Sequence, residues 1–320
     1  MDYWQLILLG SIAGFTIFLG LPLAVLQNLS TKKKAFLNAF SIGILVFLII
    51  DVFSHAWESA ETSASDAFAG KSPIRDAIFD LVAMFGGIAI GLLGLLWYES
   101  KYMNKPIKQQ QELSRKLSTA EGEKISSDSS SSSSSVSGIA TGGAELAEQQ
   151  QQRQLQQQKQ LWQQQQQEAT AYRVAMMIAL GIGTHNFSEG LAIGQSYVSG
   201  ATGLAILLII GFGAHNTTEG FGIAGPLTGL VKKPRIRFLI LAGLIGGGPT
   251  FIGTILGSLW NSPIAYILFL SIAGGALVYV SFLMYNSGRR QITNNILMLG
   301  IFVGLCAGFI TDLIVSLGGA

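Results

Sequence analysis

The chain has 320 residues, 49% of them hydrophobic and only 12% charged, with 39 glycines and a mean hydropathy of +0.46. A soluble domain carries roughly 25% charged residues, so an ordinary water-soluble globule is excluded; the net charge of +2 hides a segregation of charge by segment and says little about partners by itself, and no nucleic acid is expected among them. The single cysteine, Cys306, excludes an internal disulfide framework and any CxxC-type zinc or redox site, which leaves His, carboxylate and amide side chains for metal chemistry.

Runs long enough to cross a bilayer, at about 20 apolar residues each, occur near residues 4–27, 36–59, 77–98, 172–197, 202–226, 236–260, 263–286 and 292–317. The expected fold class is all-α: a polytopic membrane protein of eight transmembrane helices, with a long polar cytoplasmic loop between helices three and four. Residues 1–100 would carry helices one to three, 101–170 the loop, and 171–320 helices four to eight. The first run opens Met1-Asp2-Tyr3-Trp4 with no basic n-region, which reads as a retained span. Tyr3, Trp4, Trp97, Tyr98 and Trp260 fall at span ends, where interfacial aromatics are enriched.

Orientation follows from the basic residues. The loops after spans one, three, five and seven hold 18 of the 20, from Lys32, Lys33 and Lys34 through Arg235 and Arg237 to Arg289 and Arg290, and only Lys71 and Arg75 fall on the other side. Those loops are expected in the cytoplasm and both termini outside, most simply at the cell membrane.

In span two, Asp51, His55 and Glu58 stand at i, i+4 and i+7, one face of a helix, and are assigned an accessory metal or relay role. The loop contains the serine run Ser129 to Ser135 and a glutamine-rich tract ending Gln163 to Gln167, with no apolar periodicity, and is expected to be disordered. Span four reads Thr184-His185-Asn186-Phe187-Ser188-Glu189-Gly190 and span five reads Ala214-His215-Asn216-Thr217-Thr218-Glu219-Gly220. One word, H-N-x-[S/T]-E-G, thus occurs twice, 30 residues apart. His and Glu at i and i+4 share a helix face with Asn about 100° away, so two antiparallel helices can converge two imidazoles, two carboxylates and two amide oxygens. Such donors suit divalent zinc, iron, manganese or cadmium. A dication would offset the carboxylates, which are costly inside a membrane. In span six, Gly246-Gly247-Gly248-Pro249 predicts a helix break at Gly248 and Pro249, with freed carbonyls available to an ion. Asp80 and Asp312 have no ligand-type neighbour in sequence and read as interfacial or helix-pairing groups.

These features predict a membrane site for a divalent transition metal, and the family resemblance given next implies a carrier that moves it, zinc foremost with iron or manganese next, into the cytoplasm. Two alternatives use the same groups: an intramembrane metal-dependent hydrolase, and a proton-coupled transporter of a nonmetal substrate. No H-E-x-x-H word supports the hydrolase, and the G-x-x-x-x-G-K-[S/T] word of ATP-driven pumps is absent.

The paired words, the Asp51-x-x-x-His55 pattern, the eight spans and the long loop resemble the ZIP (Zrt/Irt-like) family of divalent metal transporters. The resemblance implies that His185, Asn186, Glu189, His215, Asn216 and Glu219 form the transport site, with Asp51 and His55 secondary. It also implies an elevator-like or rocking movement, a homodimer, and no resident cofactor, the metal being the substrate. Ser188 and Thr218 replace the family's usual prolines, so any bend there must come from glycines or from hydroxyls bonding to the preceding turn. Gly248 stands where many two-metal members have Glu before the proline, which favours one occupied site.

Overall fold

The computed structural model describes residues 2–26, 30–103, 141–200, 202–259, 262–289 and 293–319. Trp260, Arg290, the loop residues 104–140 and with them Ser129 to Ser135 lie outside these. The described residues are helical and contain no strand. Eight long helices follow in order: α1 (Tyr3–Phe15), α2 (Thr31–Phe68), α3 (Ile74–Tyr98), α4 (Thr141–Val198), α5 (Thr202–Ala224), α6 (Ile236–Leu259), α7 (Pro263–Gly288) and α8 (Asn294–Gly319). The chain divides into two compact units, Met1–Trp97 with Ala171–Ala320, and Tyr98–Thr170.

Six of these helices are long and apolar enough to cross a membrane: α1 with its continuation to Ala24, α2, α3, α6, α7 and α8. Helices α4 and α5 carry the His-Asn-x-x-Glu words in their middle, and those polar groups lower the hydropathy that marks a span.

Local chemistry sets the ends. Ser30 caps α2 by accepting the Lys33 amide at 3.4 Å, and Ser262 caps α7 by accepting the Ala265 amide at 3.4 Å, with Pro263 at the first helical position. The first apolar run is not one helix. α1 stops at Phe15, where the Thr16 hydroxyl donates to the Ala13 carbonyl at 2.6 Å, and the chain continues as a short helix Ile17–Gly20 and a 3-10 turn Leu21–Ala24 containing Pro22. α2 has 38 residues, or about 57 Å at 1.5 Å per residue. It therefore outreaches a hydrocarbon core of about 30 Å and runs beyond the expected end at residue 59 to Phe68.

One further expectation is corrected. The sequence places a break at Gly248 and Pro249, yet α6 continues through Pro249. Proline only removes the donor to the Ile245 carbonyl, and that oxygen packs against α4 at Gly183, where any side chain would overlap it. The composition of the insert favours disorder, with extension of the fourth helix by the glutamine tract as the alternative, and the residues from Thr141 onward, including Gln163 to Gln167, are helical. Glutamine is a good helix former, and neither Gly nor Pro occurs between Ala144 and Gly181.

Helices α4 and α6 meet backbone to backbone. A methyl group on Gly190 or Gly194 would overlap the Thr250 or Thr254 carbonyl of α6, and one on Gly253 or Gly257 would overlap the Phe187 or Leu191 carbonyl of α4. Small residues permit this approach, as membrane helix pairs require. The main apolar core gathers Ile17, Leu45 of α2, Ile178 and Ile182 of α4, Ile223 of α5, and Leu277 and Met284 of α7.

Candidate metal centre

The close α4 and α6 pairing fixes the first word against its neighbours. Asn186 donates its amide to the Gly246 carbonyl of α6 at 2.9 Å and to Glu219 Oε2 of α5 at 3.1 Å. The second word repeats the arrangement on another helix: Asn216 donates to the Ala13 carbonyl of α1 at 3.1 Å. Each asparagine is thus strapped to a backbone carbonyl, and each leaves its Oδ1 buried with no hydrogen-bond partner among the described residues.

The two histidines meet on one carboxylate. His215 Nε2 bonds Glu189 Oε1 across the helix pair, and His185 Nε2 lies 3.0 Å from the same oxygen, off the line a hydrogen bond requires. The imidazole centroids are 6.2 Å apart with planes inclined by 33°, and Phe212 lies 5.3 Å from the His215 ring. One nitrogen from each histidine and one oxygen of Glu189 fall within 4.8 Å of one another, the one such grouping found among the described residues. His185 and Glu189 are 2% and 4% exposed, His215 is 11% exposed, and Asn186, Asn216 and Glu219 are fully buried.

Both hydroxyls that stand in place of the usual prolines bond to the preceding turn. Ser188 donates to the His185 carbonyl at 2.7 Å and Thr218 to the His215 carbonyl at 2.6 Å. Within each word the hydroxyl engages the backbone of its own histidine.

These groups line a cavity of about 620 Å³ that also receives Asp51 and His55 of α2, Tyr266 of α7, and Thr311 and Asp312 of α8. His55 Nδ1 lies 3.0 Å from the Asp51 carbonyl oxygen and 3.4 Å from its carboxylate. Glu189, Asp51 and Asp312 are the carboxylates of this lining, and no Lys or Arg is among its residues. A cleft of one sign with apolar walls concentrates the opposite charge, so the cavity favours cations.

The structure brings together five of the sequence-predicted residues on the cavity wall: His185, Glu189, His215, Asp51 and His55. Glu219, Asn186 and Asn216 stand behind them, with Glu219 Oε1, Glu189 Oε2 and both amide oxygens unpartnered. Glu58, about one turn beyond His55 on α2, is exposed and is not among the residues that line the cavity. Gly248 and Pro249 are also outside the lining, and a side chain at Gly248 would meet no atom within 4 Å. Asp312, which reads from the sequence as an interfacial or helix-pairing group, lines the cavity. Its signal was an ionisable residue inside an apolar run, the same signal that marked Asp51.

Four buried oxygens without partners, beside two imidazoles sharing a carboxylate, form a hard and borderline donor set that fits a divalent cation. Unpaired, such oxygens cost about 1–3 kcal/mol each, and a cation held between His185, Glu189 and His215 would offset part of that cost.

No curated protein matches the chain. A family profile described as ZIP Zinc transporter matches residues 2–314, nearly the whole length. The chain therefore belongs to the ZIP zinc transporter family, and it is an integral membrane protein of a family that transports divalent metal cations.

Proposed function

We propose that the protein carries a divalent transition metal, zinc foremost with iron or manganese as the next candidates, from outside the cell into the cytoplasm through the site between α4 and α5. The observation that carries this reading is the convergence of His185 and His215 on Glu189, backed by the unpartnered oxygens of Asn186, Asn216 and Glu219. In this reading His185, Glu189 and His215 hold the ion first, Asn186, Asn216 and Glu219 supply oxygens behind them, and Asp51 and His55 collect it along the cavity. The polar words of α4 and α5 are membrane-embedded, which makes eight crossings. The positive-inside distribution then puts both termini outside, in the cell membrane. An inside-negative potential favours uptake of a dication by about 4.6 kcal/mol per 100 mV, twice the single-charge value. The protein works as a homodimer with one metal per site, Gly248 supplying no second carboxylate.

The test is metal uptake by the purified protein in liposomes, comparing parent with His185→Ala, Glu189→Ala, His215→Ala and Glu219→Ala, with zinc, iron, manganese and cadmium in competition. Each substitution is expected to depress flux strongly while the protein still inserts. Parent-like flux in all four rejects the site, and substrate cleavage without net metal movement rejects the carrier.

A further inference from the structure

Three helices carry the cavity lining onward into a sealed junction. α2 contributes Leu48 and Val52 to the cavity, and the edge of that face continues towards its N-terminus with Ser41 and Asn38. α5 contributes Thr218 and, one turn later, Gly222, and the 3-10 turn Gly225–Gly229 that follows it contributes Gly225. α7 contributes Tyr266 and Leu270, and further along Met284 and Gly288. These residues meet. Ser41 donates its hydroxyl to the Thr218 carbonyl at 2.9 Å. The Met284 sulfur lies 3.1 Å and the Ser41 hydroxyl 3.2 Å from where a side chain on Gly222 would begin. The Asn38 carboxamide fits against Gly225, where any side chain would overlap its oxygen, and its nitrogen is 3.2 Å from the corresponding point on Gly288.

The chemistry of this junction is out of place for a simple packing contact. Asn38 is 2% exposed, Ser41 1% and Met284 0%, among neighbours that are otherwise apolar. Asn38 Oδ1 has no hydrogen-bond partner among the described residues. An amide oxygen, a hydroxyl and a thioether are neutral donors that a zinc-class cation accepts. Nothing in the set matches the carboxylate and imidazole charge around Glu189. Lys34, one turn further along the same face and 9% exposed, adds a positive charge that opposes retention. Conduction needs sites that bind well enough to admit an ion and weakly enough to release it, and this is the weak kind.

We propose that Asn38, Ser41 and Met284 form a transient cation-binding station on the release half of the path, sealed in this conformation and opened when α5 parts from α2 and α7. The proposal rests on the carrier reading. Its test uses the full chain in liposomes with Cys306→Ser as background, because Cys306 is the only native thiol and does not line the cavity. Single cysteines at the near-isosteric Ser41→Cys and at Asn38→Cys are exposed to a charged, membrane-impermeant thiol reagent from either side, with and without zinc. Modification is expected only from the side bearing Lys32 to Lys34, about tenfold faster when zinc is supplied to the opposite side, as a shift towards a minor open state requires. Asn38→Leu is expected to lower the maximal uptake rate about tenfold with KM held within about twofold, the pattern of a lost interaction after binding. If the parent moves zinc but both thiols stay unreactive from both sides, or react only from the cavity side, or Asn38→Leu transports at the parental rate, the station is overturned and the carrier reading stands. If the parent moves no metal, both fall.

Discussion

Adding one methyl group at Gly190 tests whether the α4 and α6 contact holds the site in register. The new Cβ would overlap the Thr250 carbonyl oxygen and lie 2.8 Å from the Thr254 amide nitrogen, both backbone atoms that no rotamer change can move. An ordinary contact begins near 3.4 Å, so the helices must part by about 0.6 Å for the nitrogen alone and by more for the oxygen. Parting of that size stretches the 2.9 Å bond from Asn186 to the Gly246 carbonyl to the limit of hydrogen bonding. Against this, alanine has a better helix propensity by about 1 kcal/mol. Overpacking costs about 1–3 kcal/mol and a lost hydrogen bond about 1 more, so the penalty wins, at a net loss of about 1–3 kcal/mol. A misplacement near 1 Å in a positioned site costs on the order of a hundredfold in rate. Gly190→Ala is therefore expected to lower the thermal midpoint in detergent and to cut zinc uptake by one to two orders of magnitude. Gly86→Ala, where a methyl would meet nothing within 4 Å, is expected to do neither. Parental stability and flux in Gly190→Ala would refute the claim that this contact sets the site.

Glu189→Gln is expected to reduce zinc affinity more than Glu219→Gln, because both imidazoles lean on Glu189 while Glu219 is bonded by Asn186. Isothermal titration of the two variants decides it, and equal losses contradict the ranking. Asn216→Ala removes the donor to the Ala13 carbonyl and should cost about 1–3 kcal/mol in stability, read as a lowered thermal midpoint; an unchanged midpoint removes the strap. Gly248→Glu should raise the bound-metal stoichiometry, measured by elemental analysis of the purified protein, since a side chain there meets no steric obstacle. An unchanged ratio dismisses the missing carboxylate as the reason for a single metal.

What could be read in advance was what lies within a helix: the apolar runs, and the facing of His185 with Glu189 at i+4. What depends on how helices are offset could not. The duplicated word gives Glu189 and Glu219 equal standing, yet the stagger of α4 and α5 sends His215 across to Glu189 and leaves Glu219 to Asn186. Asp312 looked isolated because its neighbours in the cavity, Asp51 and His55, come from a helix more than 250 residues away in the chain. Gly246 to Pro249 signalled a break because a lone helix would be weakened there. In the bundle, Gly247 packs directly on the Gly14 carbonyl of α1, and the helix continues.

A carboxamide has two ends of opposite polarity and nearly equal shape. A backbone carbonyl accepts only protons, so Gly246 and Ala13 oblige Asn186 and Asn216 to present nitrogen to the scaffold and oxygen to the centre. Neither group is free to turn over without setting oxygen against oxygen. The electronegative character of the interior is thereby decided by which helices touch, before any cargo arrives, and an anion would find both amide hydrogens of Asn186 already taken, by Gly246 and by Glu219.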